Sequence, residues 1–331
     1  MSDKGEFESL YFYGMSINNT YLWVIFALGF PGNLVCLTTL VKMKSTSAPM
    51  LYMGLLAIVD NLSICQKLLY HQLSYRKVEM GPAACKTLNF FTLVFATYAN
   101  WLIVFMAAER SEAIINYFRT KSTRRRILVH SILLGITVLA IYLHLFWMFT
   151  DVDGIHCGIY QRYVPFYVGV WYWICASVYN LAPCFLLVII DVLMSYRFRK
   201  ISAVIADGCQ NHCGHRVTGS QRSLGQETSA MVLAVAVAFV VMTLPRCVYI
   251  ILESHWSVET TTLSHAQKHL INQITFVLSD ARHAVNFYLY FFTGKIFRSS
   301  VICALAWKRK PDNAALMLTT VTPCTGKGSD L

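Results

Sequence analysis

Charge is what this chain has least of. Only 14% of its 331 residues are Asp, Glu, Lys or Arg, against roughly a quarter in soluble domains. That shortage excludes a water-soluble globule, and an apolar content of 56% with a mean hydropathy of +0.49 agrees. Acids are scarcer than bases, 17 against 28. The surplus of +11 would suit nucleic acid if a polar domain presented it, and no stretch of the chain supplies one. A disulfide scaffold is excluded as well, because most of the 11 cysteines lie inside apolar runs as small hydrophobes. No nucleophile–base constellation or phosphate loop is present; His144 and His283 stand alone among apolar residues. Cys209, His212, Cys213 and His215 match no common zinc framework. The chain is therefore expected to be no enzyme and to need no metal or cofactor. A cleavable leader is not expected either: the stretch from Met1 to Ser9 is polar and acidic, and the first apolar run starts near Tyr21.

What is present is a series of seven apolar runs, at 21–41, 51–71, 84–108, 127–150, 166–194, 227–252 and 270–292. Each is close to the ~20 residues that one membrane crossing requires. Pro31, Pro183 and Pro245 fall inside spans, as membrane helices allow when neighbours satisfy the freed carbonyls. A further segment, 294–305, is amphipathic, with Phe297, Val301, Ala304 and Leu305 on one face and Lys295 and Arg298 flanking it; such a segment lies on the membrane. The expected fold is an all-α seven-transmembrane bundle with a short amphipathic eighth helix. Its parts are a tail at 1–20, the bundle at 21–292, the surface helix at 293–305 and a second tail at 306–331.

Lys and Arg set the orientation. They crowd the loops after odd-numbered spans and the C-terminal tail, as at Lys42, Lys44, Arg124, Arg125, Arg126, Arg197, Arg199, Lys308 and Arg309, and are sparse on the other side. This predicts an extracellular N-terminus and a multi-pass protein of the plasma membrane. The third run is central to the argument. It has Cys85 at its outer end and Glu109-Arg110-Ser111 at its inner end, about 25 residues away, which is one helix across a bilayer. Cys157, after the fourth run, also falls outside, with no rival cysteine in an outer loop. A Cys85–Cys157 disulfide is expected in that oxidising compartment. Asn18-Asn19-Thr20 is a glycosylation sequon on the same side.

These features together resemble a rhodopsin-like (class A) G-protein-coupled receptor. Gly32-Asn33, Leu56-Ala57-Ile58-Val59-Asp60, Cys85 and Cys157, Glu109-Arg110-Ser111, Pro183, Phe239 with Pro245, and Asn286-Phe287-Tyr288-Leu289-Tyr290 stand in the family's order and spacing. The Met242-Thr243-Leu244-Pro245 and Asn286–Tyr290 stretches are similar to invertebrate peptide receptors of the FMRFamide-receptor type. Departures are equally visible. The fourth span lacks its mid-membrane Trp, Thr243 replaces the sixth-span Trp, Phe287 replaces the seventh-span Pro, and Asp191 stands where a fifth-span Tyr is usual.

The resemblance implies an extracellular ligand, a heterotrimeric G protein and a switch built on Glu109, Arg110, Asp191, Asn286 and Tyr290. Asp191 is expected to reach Arg110, and Glu227 lies near the place of the family's sixth-span acid. Asn33, Asp60, Arg282 and His283 would form a buried polar core. There Arg282 is expected to pair with Asp60 in place of the family's sodium ion, since a guanidinium matches a carboxylate. Lys67 lies seven residues beyond Asp60, on the same helix face, and is expected to meet Asp280. With Thr92, Tyr98, Tyr179, Arg246 and Tyr249 these residues are the candidate ligand pocket. Thr92 stands where amine receptors carry an acid, and Asp280 where opsins carry their Lys, so neither an amine nor retinal is expected. The outer acids Glu79, Asp151, Asp153, Glu253 and Glu259 suit a basic neuropeptide such as an Arg-Phe-amide. Cys303 is a palmitoylation candidate, and Ser329-Asp330-Leu331 fits a PDZ ligand. The competing reading is a polytopic transporter that uses the buried charges as a substrate or proton path; the odd number of spans and the lack of a repeat oppose it.

Overall fold

A computed structural model describes residues 2–43, 48–115, 124–152, 156–211, 219–253 and 262–305. Helices α1 (Ser2–Met43), α2 (Ala48–Tyr75), α3 (Pro82–Ile115) and α4 (Arg124–Tyr142) are followed by a short turn, Leu145–Met148, and a hairpin. The chain then enters a long fifth helix, α5 (164–211), and continues through α6 (Gly219–Glu253), α7 (Thr262–Thr293) and α8 (Lys295–Leu305). Lys44, Arg119, Lys121, Asp153, His212, Cys213, His215, Arg216, Glu259, Lys308, Arg309 and Ser329-Asp330-Leu331 lie outside the described residues.

Most helices run further than their apolar cores, because turns of polar helix extend past the bilayer at both ends. The largest difference is at the N-terminus. Residues 2–20, expected as a tail, continue α1 as helix. Gly14 faces the ring of His269 on α7, with Tyr11 5.5 Å from the same ring, so the extension has something to lean on. Asn18 therefore sits within helix, half-buried. Six of the described helices are long and apolar enough to cross a membrane. The seventh crossing, α7, falls short on composition because its inward face carries Asp280, Arg282, His283 and Asn286, all buried.

Helix α3 forms the axis of the bundle, packing on α2, α4, α5 and α6, while α1 lies in the groove between α2 and α7. Two close approaches explain small residues. A Cβ on Gly29 of α1 would meet Ile64 Cδ1 at 2.7 Å and the α7 backbone at Ala284 Cα at 2.9 Å; only hydrogen fits between these helices. Asn33 then clamps the same junction. Its amide donates to Asn61 Oδ1 (3.0 Å) and to the His283 carbonyl (3.2 Å).

In α5, two π-helical turns, Tyr167–Trp171 and Ser177–Leu181, interrupt the α-helix. Pro183 has no N–H, so the carbonyls four and five residues before it lose their intrahelical donor. Helix α3 supplies replacements: Asn100 donates to the Tyr179 carbonyl (2.6 Å) and Trp101 Nε1 to the Val178 carbonyl (2.9 Å). The proline thus costs little, and Tyr179 is fixed against α3. In α7 the family proline is Phe287, which keeps its N–H, and the helix runs unbroken from Thr262 to Thr293.

The hairpin pairs β1 (Phe149–Val152) with β2 (His156–Ile159) antiparallel, Asp151 opposite Cys157. Cys157 is bonded to Cys85 near the start of α3, as expected, and the hairpin is held against that end of the bundle. The α8 helix lies beyond Gly294 with Phe297 and Val301 buried.

Candidate ligand cavity and buried polar core

A cavity of about 460 Å³ opens at the disulfide end between α1, α2, α3, α5, α6 and α7. Its wall holds Tyr21, Tyr70, Tyr167, Tyr172, Tyr179 and Phe276 together with the charged side chains Lys67, Asp280 and Arg246. Lys67 and Asp280 meet at 2.6 Å across it, with side chains 11% and 7% exposed. The Tyr21 hydroxyl donates to the other Asp280 oxygen (3.3 Å), and Lys67 also donates to the Tyr179 hydroxyl (3.4 Å). Asp280, the only carboxylate among the described lining residues, is thereby satisfied from both sides. Arg246 has no carboxylate within ion-pair distance among the described residues. Its guanidinium donates to Asn272 Oδ1 (2.5 Å) and lies over the Phe276 ring at 3.7 Å. Thr92 lines the cavity while its hydroxyl donates back to the Leu88 carbonyl (2.7 Å).

Below the cavity the hydrogen bonds continue without a gap. The Tyr179 hydroxyl, already accepting from Lys67, also accepts from Arg282 Nη2 (3.3 Å). Arg282 Nη1 donates to Ser279 (3.1 Å), and Nη2 donates to His283 Nε2 (3.3 Å). A guanidinium only donates, so Nε2 is the acceptor and the ring proton sits on Nδ1. That Nδ1–H donates to Asp60 Oδ1 at 2.6 Å, while Asn286 donates to Asp60 Oδ2 at 2.8 Å. Asp60, His283, Arg282 and Asn286 are each at most 3% exposed. The expected direct Arg282–Asp60 pair is not formed. His283 is interposed: its ring reaches the carboxylate first, and the guanidinium turns toward α5. Arg282 also lies over the rings of Phe239 (5.3 Å) and Tyr179 (5.4 Å), which spread its charge onto apolar neighbours.

At the opposite end, Arg110 Nη2 pairs with Glu109 at 3.3 Å. The expected contact from Asp191 is absent; its half-buried Oδ1 has no partner among the described residues. Glu227 is spent differently, accepting the Ile296 backbone N–H at the start of α8 (2.5 Å), where a helix N-terminus favours an acid. The Tyr290 hydroxyl, Arg110 Nε and Glu109 Oε2 are buried without hydrogen-bond partners.

Two aromatic candidates are placed elsewhere. Tyr98 turns outward to α4, donating to the Ser131 carbonyl (3.0 Å) and lying beside Gly135; a one-residue error in helical phase moves a side chain 100°. Tyr249 is buried beside the cavity and donates to Glu253 (3.2 Å). Glu253 is itself engaged by Tyr172 (3.2 Å) and Lys268 (3.7 Å), so it is no free acid for a basic ligand. Tyr21, Tyr172 and Asn272 were not foreseen. A tyrosine at the end of a span reads as an interface anchor, and only tertiary placement distinguishes the two roles.

The family model for the 7 transmembrane receptor (rhodopsin family) matches residues 32–290, more than three quarters of the chain. The chain belongs to the rhodopsin family of seven-transmembrane receptors. It is thus a multi-pass membrane receptor rather than an enzyme, with a ligand and a heterotrimeric G protein as partners. A search of curated proteins finds no match.

Proposed function

We propose that the chain is a plasma-membrane receptor for an extracellular peptide, with the disulfide end outside and the Arg110 end facing the G protein. The observation that carries this reading is the charge state of the cavity. Its one described carboxylate, Asp280, is taken by Lys67 and Tyr21, so nothing remains to hold an ammonium. Arg246 and the ring of tyrosine hydroxyls are donors, and they match the carbonyls of a peptide terminus. The resemblance to FMRFamide-type receptors favours an amidated peptide whose C-terminal carbonyl meets Arg246. Its basic side chains would then stay near the mouth, by Glu79 and Asp151, both outside the cavity lining. Glu109, Arg110, Asp191, Asn286 and Tyr290 form the G-protein-facing machinery in this reading. Asn18 is its glycosylation site and Cys303, half-buried on α8, its palmitoylation site. Ser329-Asp330-Leu331 is its PDZ ligand.

The test is a screen of amidated peptides on cells expressing the receptor with a promiscuous G protein, read as nucleotide exchange. A peptide that drives exchange in the wild type and fails after Arg246→Gln supports the reading. Peptide or solute uptake without exchange overturns it in favour of a transporter.

A further inference from the structure

A second cavity lies on the outer surface of the bundle, away from the one described above. It measures about 360 Å³ and opens between the end of α4 and the start of α5, lined by His144, Trp147, Tyr163, Phe166, Trp171 and their neighbours. Its lining is apolar except for His144. Trp147 and Phe166 are 56% and 45% exposed there, and on a membrane-spanning bundle such exposure is toward lipid. The His144 ring is held in one pose: it sits 3.8 Å from the Trp171 ring, edge to face. Its Nδ1 is 2.9 Å from the Ile141 carbonyl. A carbonyl only accepts, so the proton is on Nδ1 and the neutral ring leaves an acceptor lone pair on Nε2. That Nε2 is buried and has no partner. An unfilled acceptor in an apolar groove is costly, and bound molecules that donate to it remove the cost.

We propose that this groove is a binding site for a membrane sterol, its hydroxyl donating to His144 Nε2 and its flat ring body lying along Trp171, Phe166 and Trp147. Three features select that occupant. The acceptor needs a single hydroxyl and offers no charge for a phosphate headgroup. The lining is mostly flat rings, which suit a rigid fused-ring body better than a mobile acyl chain. The depth also fits: His144 lies five residues before β1, at the disulfide end, with Trp147 and Tyr163 beside it. Aromatics of that kind mark the level of the headgroups, which is where a sterol hydroxyl sits while its body points inward.

The experiment uses the full-length receptor in nanodiscs and a photoactivatable cholesterol carrying a free 3-hydroxyl, with labelled peptides located by mass spectrometry. Labelling should concentrate in 144–148 and 163–174. Cholesterol should compete for it and the 3-O-methyl ether, which cannot donate, should not. His144→Phe should lower site labelling about tenfold, the loss of one hydrogen bond, and His144→Gln, which retains an acceptor, should restore much of it. If His144→Phe fails to fold, competition by the methyl ether on the wild type decides alone. Equal competition by the ether, label spread evenly over lipid-facing helices, or unchanged labelling in a folded His144→Phe receptor overturns the proposal; the last outcome leaves His144 Nε2 to water.

Discussion

The two ends of the bundle treat their buried charges in opposite ways. Toward the disulfide end, Lys67, Asp280, Tyr179, Arg282, His283, Asp60 and Asn286 form one connected chain of hydrogen bonds from cavity wall to polar core. Toward the Arg110 end, partners run out among the described residues: Arg110 has Glu109 alone, and Asp191 Oδ1 and the Tyr290 hydroxyl have none. A satisfied network in a low-dielectric interior is stiff, and removing one member strands the others. An unsatisfied set holds less stability and has donors and acceptors left for another molecule. The comparison teaches where this fold keeps its stability and where it keeps its capacity to change.

Substitutions in the connected half should be the most damaging. Asp60→Ala leaves Asn286, the His283 Nδ1–H and a nearby guanidinium without their acceptor. A loss of about 3–5 kcal/mol is expected, read as a large fall in the thermal midpoint of purified receptor and in surface expression. An unchanged midpoint would break the comparison at its strongest point. Lys67→Met should come next, at about 3 kcal/mol, because it strands a carboxylate only 7% exposed. Lys67→Met with Asp280→Leu should recover part of that, with a coupling of about 1–3 kcal/mol in a double-mutant cycle. Additive losses would mean that the pair is held apart in solution.

Arg110→Ala sharpens the contrast from the other side. Its single pair is partly exposed, 15% and 13%, and such pairs contribute about 1 kcal/mol or less. The thermal midpoint should therefore move little, while ligand-driven nucleotide exchange is abolished. A receptor that keeps exchange without Arg110 would remove the switch reading; one that unfolds would show this end to be as structural as the other.

Much of the connected half could be read from spacing. Lys67 follows Asp60 by two turns, and Asp280 precedes Arg282 by two residues, which suffices to bring Lys67 and Asp280 to one level. The spans and the Cys85–Cys157 bond follow from apolar length and from the Lys/Arg bias in the same way. Rotational detail did not follow. Tyr98 and Tyr179 look alike in an apolar run, but Tyr98 turns to α4. Tyr179 is turned inward by π-helical turns that periodicity at 3.6 cannot show. His283 and Arg282 are adjacent in sequence, and which one touches Asp60 depends on side-chain reach across α2 and α7. Asp191 could be placed on its helix but not in contact, since its helix α5 carries two inserted turns.

The smallest expected effect is a null one. The place near Asp60 where family members hold sodium has its own positive charge in this chain. Both carboxylate oxygens already accept, from His283 at 2.6 Å and Asn286 at 2.8 Å, and the Arg282 guanidinium sits on the far side of the same imidazole at 3.3 Å. A sodium ion would have to displace the His283 N–H from Asp60 and then sit close to a guanidinium that is 2% exposed. Ala99, buried on α3, offers no oxygen to complete its shell. Like charges in so dry a site repel strongly. Replacing sodium by choline at constant ionic strength should leave both the thermal midpoint and agonist affinity unchanged. Arg282→Ala removes the built-in cation and should give the receptor a sodium dependence that the wild type lacks. Sodium-sensitive affinity in the wild type would show that the His283–Asp60 bond opens readily. The connected half would then be as yielding as the half around Arg110.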